Sequence, residues 1–77
     1  MYNYLFVILD RYESSKSSVV TFKSKMQPLQ AFRFAYLENT DLGEEQYFEE
    51  EVHPNIKVGD SVTSYDEEEY SYLLIKQ

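Results

Sequence analysis

The chain has no cysteine, no tryptophan, a single histidine, and only two glycines and two prolines among its 77 residues. Without cysteine there are neither disulfides nor thiolate metal sites. Small secreted scaffolds ordinarily depend on such staples, so an intracellular, cytoplasmic setting is expected. Neither Gly43 nor Gly59 belongs to a glycine-rich loop of the kind that cradles phosphates. The longest apolar run, Leu5 to Leu9, falls far short of the ~20 residues that span a bilayer, and no basic segment precedes it as a secretory signal requires. A soluble chain that makes no membrane contact is expected. Positive charge is scarce as well: seven Lys and Arg stand against 14 Asp and Glu, a formal net charge of -7. That balance repels phosphates and argues against direct nucleic-acid or nucleotide binding.

What is present is the composition of a folded protein. Hydrophobic residues make up 43% and aromatics 17%, too apolar for a disordered acidic tail. The length fits one domain over residues 1–77, with a modest core that buries roughly 60% of the surface the unfolded chain exposes.

Tyr2 to Tyr12 is dense in β-branched and aromatic residues, and from Tyr4 to Leu9 it is apolar at even and odd positions alike. This is the pattern of a central strand covered on both faces. The polar stretch Glu13 to Ser18 then turns the chain, and Val19 to Ser24 returns with Val20 and Phe22 on one face and Thr21 and Lys23 on the other, completing a hairpin. Pro28 suits a first helical position, and the spacing predicts a helix from about Pro28 to Glu38. Its apolar stripe is Leu29, Ala31, Phe32, Ala35 and Tyr36, while Phe34 and Leu37 project away beside Gln30. Phe34 is thus a candidate exposed aromatic unless a segment such as that holding Tyr47 and Phe48 covers it. Asn39 to Gly43 reads as the helix stop and a turn. Glu44 to Val52 favours a short helix over a strand, with carboxylates around a narrow apolar edge of Tyr47 and Phe48, and Pro54 ends it. Ile56 to Tyr65 carries the turn signal Val58-Gly59-Asp60-Ser61 between short apolar stretches, and Tyr70 to Lys76 is a final strand pairing with it around Asp66 to Glu69. The expected fold is α+β: an antiparallel sheet of about four strands with one main helix packed on it, in the order β-β-α-short α-β-β.

Chemistry has little to work with. A serine or similar nucleophile needs a base held by an orienting group, and His53 is the only imidazole, at the end of an acidic segment where a surface histidine is ordinary. Paired carboxylates act as acid and base only in a pocket that separates their pKa values, which a domain of this size rarely offers. Glu50 and His53 share the i, i+3 spacing of a carboxylate-histidine metal motif, but a second pair is missing. Asp66 to Glu69 lacks the alternating oxygen ligands and central glycine of a calcium loop. The expectation is therefore no enzyme, with no catalytic residues, no metal and no cofactor.

The charge is regional. Residues 38 to 69 hold 12 acidic side chains and one basic one, Lys57, a balance of -11, whereas residues 1 to 37 hold five basic and two acidic, a balance of +3. So concentrated a charge costs self-repulsion in a domain with little stability to give away. In and just after the acidic region, Tyr47, Phe48, Tyr65, Tyr70 and Tyr72 are interleaved with carboxylates, a pattern that imitates nucleic acid: carboxylates replace phosphates and aromatics fill a partner's groove-facing or base-stacking pockets. Phosphates recur every ~3.4 Å along each DNA strand, and side chains on one face of a β-strand recur at about 6.6 Å, close to two such steps.

In size and balance the chain resembles the small acidic inhibitors that bacteriophages make against DNA-acting host enzymes, including uracil-DNA glycosylase inhibitors and anti-CRISPR proteins. No segment aligns with a named family, so no functional residue is carried over. The resemblance of type implies an inhibitor whose partner is a basic nucleic-acid-binding protein or nuclease complex. The residues expected to meet that partner are Glu44, Glu45, Tyr47, Glu49, Glu50 and Glu51, the turn Asp66, Glu67, Glu68 and Glu69, and Phe34. The alternative is an interaction or assembly module, for instance a homodimer through sheet edges or Phe34, in which acidity serves only solubility.

Overall fold

The computed structural model describes residues 1–40 and 44–77. Five strands form one antiparallel sheet: β1 (Tyr2–Asp10), β2 (Ser18–Ser24), β3 (Lys57–Val58), β4 (Val62–Asp66) and β5 (Tyr70–Lys76), in the spatial order β2-β1-β5-β4-β3. The main helix, α1 (Pro28–Asn39), crosses one face of it. A shorter helical stretch follows: α2 (Glu45–Tyr47) runs into a wider π-type turn (Phe48–Val52) and closes in a 3-10 turn (His53–Asn55).

Local chemistry explains each boundary. The β1–β2 connection is folded around Asp10, whose Oδ1 accepts the backbone N–H of Tyr12 at 2.9 Å and of Glu13 at 3.0 Å. Those two bonds, Glu13's first, hold the Asp10 carboxyl below its ordinary pKa. Pro28 opens α1 where its missing N–H costs nothing. The helix ends when Asn39 and Thr40 turn their own side chains back: Asn39 Nδ2 donates to the Ala35 carbonyl and Thr40 Oγ1 to the Tyr36 carbonyl, both at 2.8 Å. The expected stop and turn at Asn39 to Gly43 meets this end at Asn39 and Thr40, and Asp41 to Gly43 lie outside the described residues.

The α+β class holds, with one strand more than expected. The Ile56 to Tyr65 segment breaks at its turn signal into β3 and β4, because the Gly59 N–H donates to the Val62 carbonyl at 2.9 Å and reverses the chain. A Cβ on Gly59 would stand 2.8 Å from that same oxygen, so close approach demands glycine here. The hairpin expected around Asp66 to Glu69 forms, with Asp66 as the last residue of β4 and the turn at Glu67 to Glu69.

One core lies between the sheet and the helices. Tyr4 and Phe6 of β1, Tyr65 of β4, and Tyr72 and Leu74 of β5 meet Ala31, Phe32, Ala35 and Tyr36 of α1, with Phe48 and Val52 closing one end. It is an aromatic core. Phe32 meets Phe6 edge-on at 5.6 Å, and Tyr36 meets Tyr72 edge-on at 5.1 Å, geometries that add to the area they bury. The Tyr4 hydroxyl, pushed up in pKa by burial, donates to the Met26 carbonyl at 2.6 Å and ties β1 to the entry of α1.

Ala31, Phe32, Ala35 and Tyr36 of the expected helix stripe are buried, whereas Leu29 is only partly buried and Leu37, expected to project away, packs against the core. Val20 and Phe22 point inward from β2 while Thr21 and Lys23 face solvent. The expectation that β1 is covered on both faces is corrected. β1 is central, between β2 and β5, but α1 and the helical stretch that holds Phe48 and Val52 pack on the side of Tyr4 and Phe6. Leu5, Val7 and Leu9 point the other way.

A candidate binding cleft lined by tyrosines and carboxylates

The turn between β4 and β5 is built to hold carboxylates outward. Glu67 N–H donates to the Tyr70 carbonyl at 2.8 Å, and the Glu69 carbonyl accepts the N–H of Arg11 at 2.9 Å, so both ends of the turn are pinned to backbone. Glu67 is fixed further by its side chain, since Oε1 accepts the hydroxyl of Tyr36 at 3.0 Å. Tyr36 reaches it from the core, and burial followed by this carboxylate raises the phenol far above its ordinary pKa.

Opposite the turn stands Tyr47 of α2. Between them is an open cleft of about 400 Å³ lined by Tyr47, Tyr65, Glu67, Glu68, Glu69 and Tyr70. The Tyr65 hydroxyl is pushed up to about 12, first by burial and then by Glu67. Tyr72, behind it, is raised by the same two causes in the same order. These phenols stay protonated at neutral pH, and Tyr36 among them donates to the fixed carboxylate of Glu67. The arrangement suits the recognition of cationic groups: carboxylates supply charge, and the half-buried rings of Tyr47 and Tyr70 supply flat surface for guanidinium or ammonium stems.

The structure brings some of the expected residues together and separates others. Glu44, Glu50 and Glu51 are exposed on the helical segment that carries Tyr47, and Glu50 accepts Gln46 Nε2 at 3.2 Å. Glu51 lies near enough to Tyr65 to raise its pKa slightly. Glu45 and Glu49 are engaged within the molecule. Arg33 of α1 places Nε 3.0 Å from Glu49 and Nη2 3.6 Å from Glu45, with its guanidinium carbon 5.9 Å from the centre of the Phe48 ring. The Arg33 hydrogen bond, and then that of His53 at 3.3 Å, hold the Glu49 carboxyl below its ordinary pKa. His53 thus pairs with Glu49 rather than Glu50, and no three His, Asp or Glu side chains among the described residues converge as a metal site.

Asp66 leaves the cleft altogether. It pairs with Arg11 at 3.4 Å on the side of the sheet away from the helices. Phe34 lies elsewhere too, 45% exposed against Phe22 at 5.8 Å, on a second groove with Met26, Gln30, Arg33 and Leu37. Phe48 does not cover it, because Phe48 is buried against Tyr36. The interleaved aromatics are corrected in part: Phe48, Tyr65 and Tyr72 are core residues, and only Tyr47 and Tyr70 of that set are partly exposed. Sequence reasoning missed the Tyr36–Glu67 bond and the Arg33 clamp, since both join residues far apart in the chain with no local spacing to mark them.

No family model, no curated protein and no solved structure matches the chain. No helix among the described residues is long and apolar enough to cross a membrane.

Proposed function

We propose that the chain is a non-enzymatic acidic binding protein that occupies the nucleic-acid-binding surface of a basic partner, its carboxylates standing where phosphates would. The observation that carries this reading is a cleft whose one wall is the acidic turn Glu67 to Glu69 and whose other is Tyr47, on the helical segment that also carries the exposed Glu44, Glu50 and Glu51. Such a surface steers toward Lys and Arg at long range and offers flat rings at short range. An inhibitor of a nuclease complex, of the phage-encoded acidic type, fits this size and balance. The resulting partner set is a basic nucleic-acid protein, met in the cytoplasm.

Affinity capture with the full chain, repeated with excess duplex DNA or guide RNA, tests the reading, because a mimic and the nucleic acid it imitates exclude each other. Reversal of Glu50, Glu51, Glu68 and Glu69 to Lys should weaken binding to the captured protein by roughly 100-fold or more, while reversal of Lys16, Lys23 and Lys25 to Glu should change it little. Binding of the parent chain should fall steeply with salt. A partner that binds nucleic acid and this chain together, or that tolerates the acidic reversal, would refute the proposal.

A further inference from the structure

The face of the sheet turned away from the helices takes no part in the acidic cleft, and its chemistry is unlike that of a solvated sheet. Val7 stands across from Val19 on β2 and Leu73 on β5, and Leu5 stands across from Thr21 and Ile75. Ile75 in turn stands across from Val62 on β4. The result is a contiguous aliphatic patch over four strands, with Thr21, Ser64 and Ser71 as its polar neighbours. None of these residues belongs to the core or packs against it, and Leu9, Val19 and Val62 are 38%, 59% and 42% exposed. An antiparallel sheet with one wet face ordinarily alternates apolar and polar residues, and an exposed apolar patch of more than a few hundred Å² marks a surface that something covers.

We propose that a second copy of this chain covers it, the two sheets packing face to face about a two-fold axis. Three features of the face select that occupant. It is aliphatic across four strands, and such a surface can oppose a copy of itself as an isologous contact requires, with side chains of two sheets interdigitating across ~10 Å. Its charge is the second feature. Among outward-facing strand residues the only carboxylate is Asp66, and Arg11 neutralises it at 3.4 Å, while Lys23 and Lys57 sit at opposite edges. Each chain carries -7, so two copies repel unless their acidic surfaces point apart. Packing through this face places both sheets between the two acidic helical layers.

Area is the third feature. Four strands at ~4.8 Å spacing and about seven residues at ~3.3 Å give a footprint of roughly 20 by 23 Å, so the pair buries about 1,000 Å² once side-chain relief is included. That is the low end of specific interfaces, and it sets a concentration-dependent dimer rather than an obligate one. The inference does not rest on the acidic cleft and stands or falls separately.

Sedimentation velocity of the full chain, from low micromolar to near-millimolar concentration, provides the test. The expected result is a reversible shift from 9.2 kDa to twice that mass, undiminished by added salt. Val19→Lys on β2 and Val62→Lys on β4 should each weaken self-association by about tenfold or more with native circular dichroism and melting temperature retained, since both side chains are exposed in the monomer. Phe34→Asp, on the helical side, should leave the dimer intact. A chain that stays monomeric throughout would overturn the proposal, leaving the face bare or reserved for a different protein. So would a dimer lost in Phe34→Asp, or one that responds to Val19→Lys and ignores Val62→Lys, the signature of edge pairing through β2.

Discussion

The two faces of the sheet both carry apolar residues and use different chemistry. Toward the helices the residues are predominantly aromatic, Tyr4, Phe6, Tyr65 and Tyr72, whereas away from them they are aliphatic, Leu5, Val7, Leu73 and Ile75. The difference follows from what has to be covered. One twelve-residue helix and a short second stretch must close a five-stranded sheet, and large rings fill that space with few side chains. Aliphatic side chains stand shorter and flatter, and suit a layer that meets another sheet. Both faces are therefore apolar, but only one is a core.

Mutations that strike the two faces separately break this comparison most sharply. The largest effect is expected at Phe32, fully buried on α1 against Phe6: Phe32→Ala should cost about 3 to 5 kcal/mol through lost burial and the cavity left behind, read by chemical denaturation. An unchanged midpoint would place the core elsewhere. Next comes a pair of neighbours on β5. Leu74 is 1% exposed and faces the helices, whereas Leu73 is partly exposed on the opposite side. Leu74→Ala should cost about 2 to 5 kcal/mol, and Leu73→Ala, measured where the chain is monomeric, roughly 1 kcal/mol. Equal losses would mean that something covers the outer face within the monomer.

A smaller effect joins the core to the cleft. Tyr36→Phe keeps the ring and removes the hydroxyl that Glu67 accepts, so stability should fall by roughly 1 to 2 kcal/mol, and the turn at Glu67 to Glu69 should lose protection from amide exchange. Full protection of that turn in the variant would show that the backbone bonds at Glu67 and Glu69 hold it alone. The smallest effect is acid sensitivity. Asp10 and Glu49 both have carboxyl pKa values held below their ordinary range in the fold. Each therefore contributes stability that is present above the ordinary carboxylate range and is lost as pH falls through the lowered folded value. The melting temperature should be flat near neutrality and decline in acid. Arg33→Gln should reduce the part of that slope due to Glu49, since the Arg33 hydrogen bond is the first cause of its shift. An unaltered acid limb in that variant would assign the slope to other carboxylates.

Much of the fold was legible because its signals are local. The phase of α1 follows from Ala31, Phe32, Ala35 and Tyr36, and the hairpins follow from polar turns between β-rich runs. β3 was hidden in the Ile56 to Tyr65 segment because two residues are too few for any periodicity, and only Gly59 marks the break. The doubly apolar pattern of β1 correctly signalled a central strand, but it cannot say whether the chain itself supplies both covers. At the cleft, the acidic turn was readable as charge, yet the anchoring of Glu67 depends on Tyr36, a core residue that reaches it across the fold. The internal use of Glu45 and Glu49 depends likewise on Arg33, which sits mid-helix with no local sign of its partners.

The tyrosine arrangement also gives the molecule a built-in optical reporter. Tyr36, Tyr65 and Tyr72 have ring centres 5.1 to 6.3 Å apart in fixed orientations, and no tryptophan masks them. Rings locked in an asymmetric interior produce near-ultraviolet dichroism that vanishes when packing loosens while backbone structure survives. Tyr47 and Tyr70, at the mouth of the cleft, are more exposed, and Tyr70 stands 6.2 Å from Tyr72 of that set. A ligand that seats there perturbs Tyr70 and, through it, the buried rings, so occupancy and folding can be followed in one spectrum without any label.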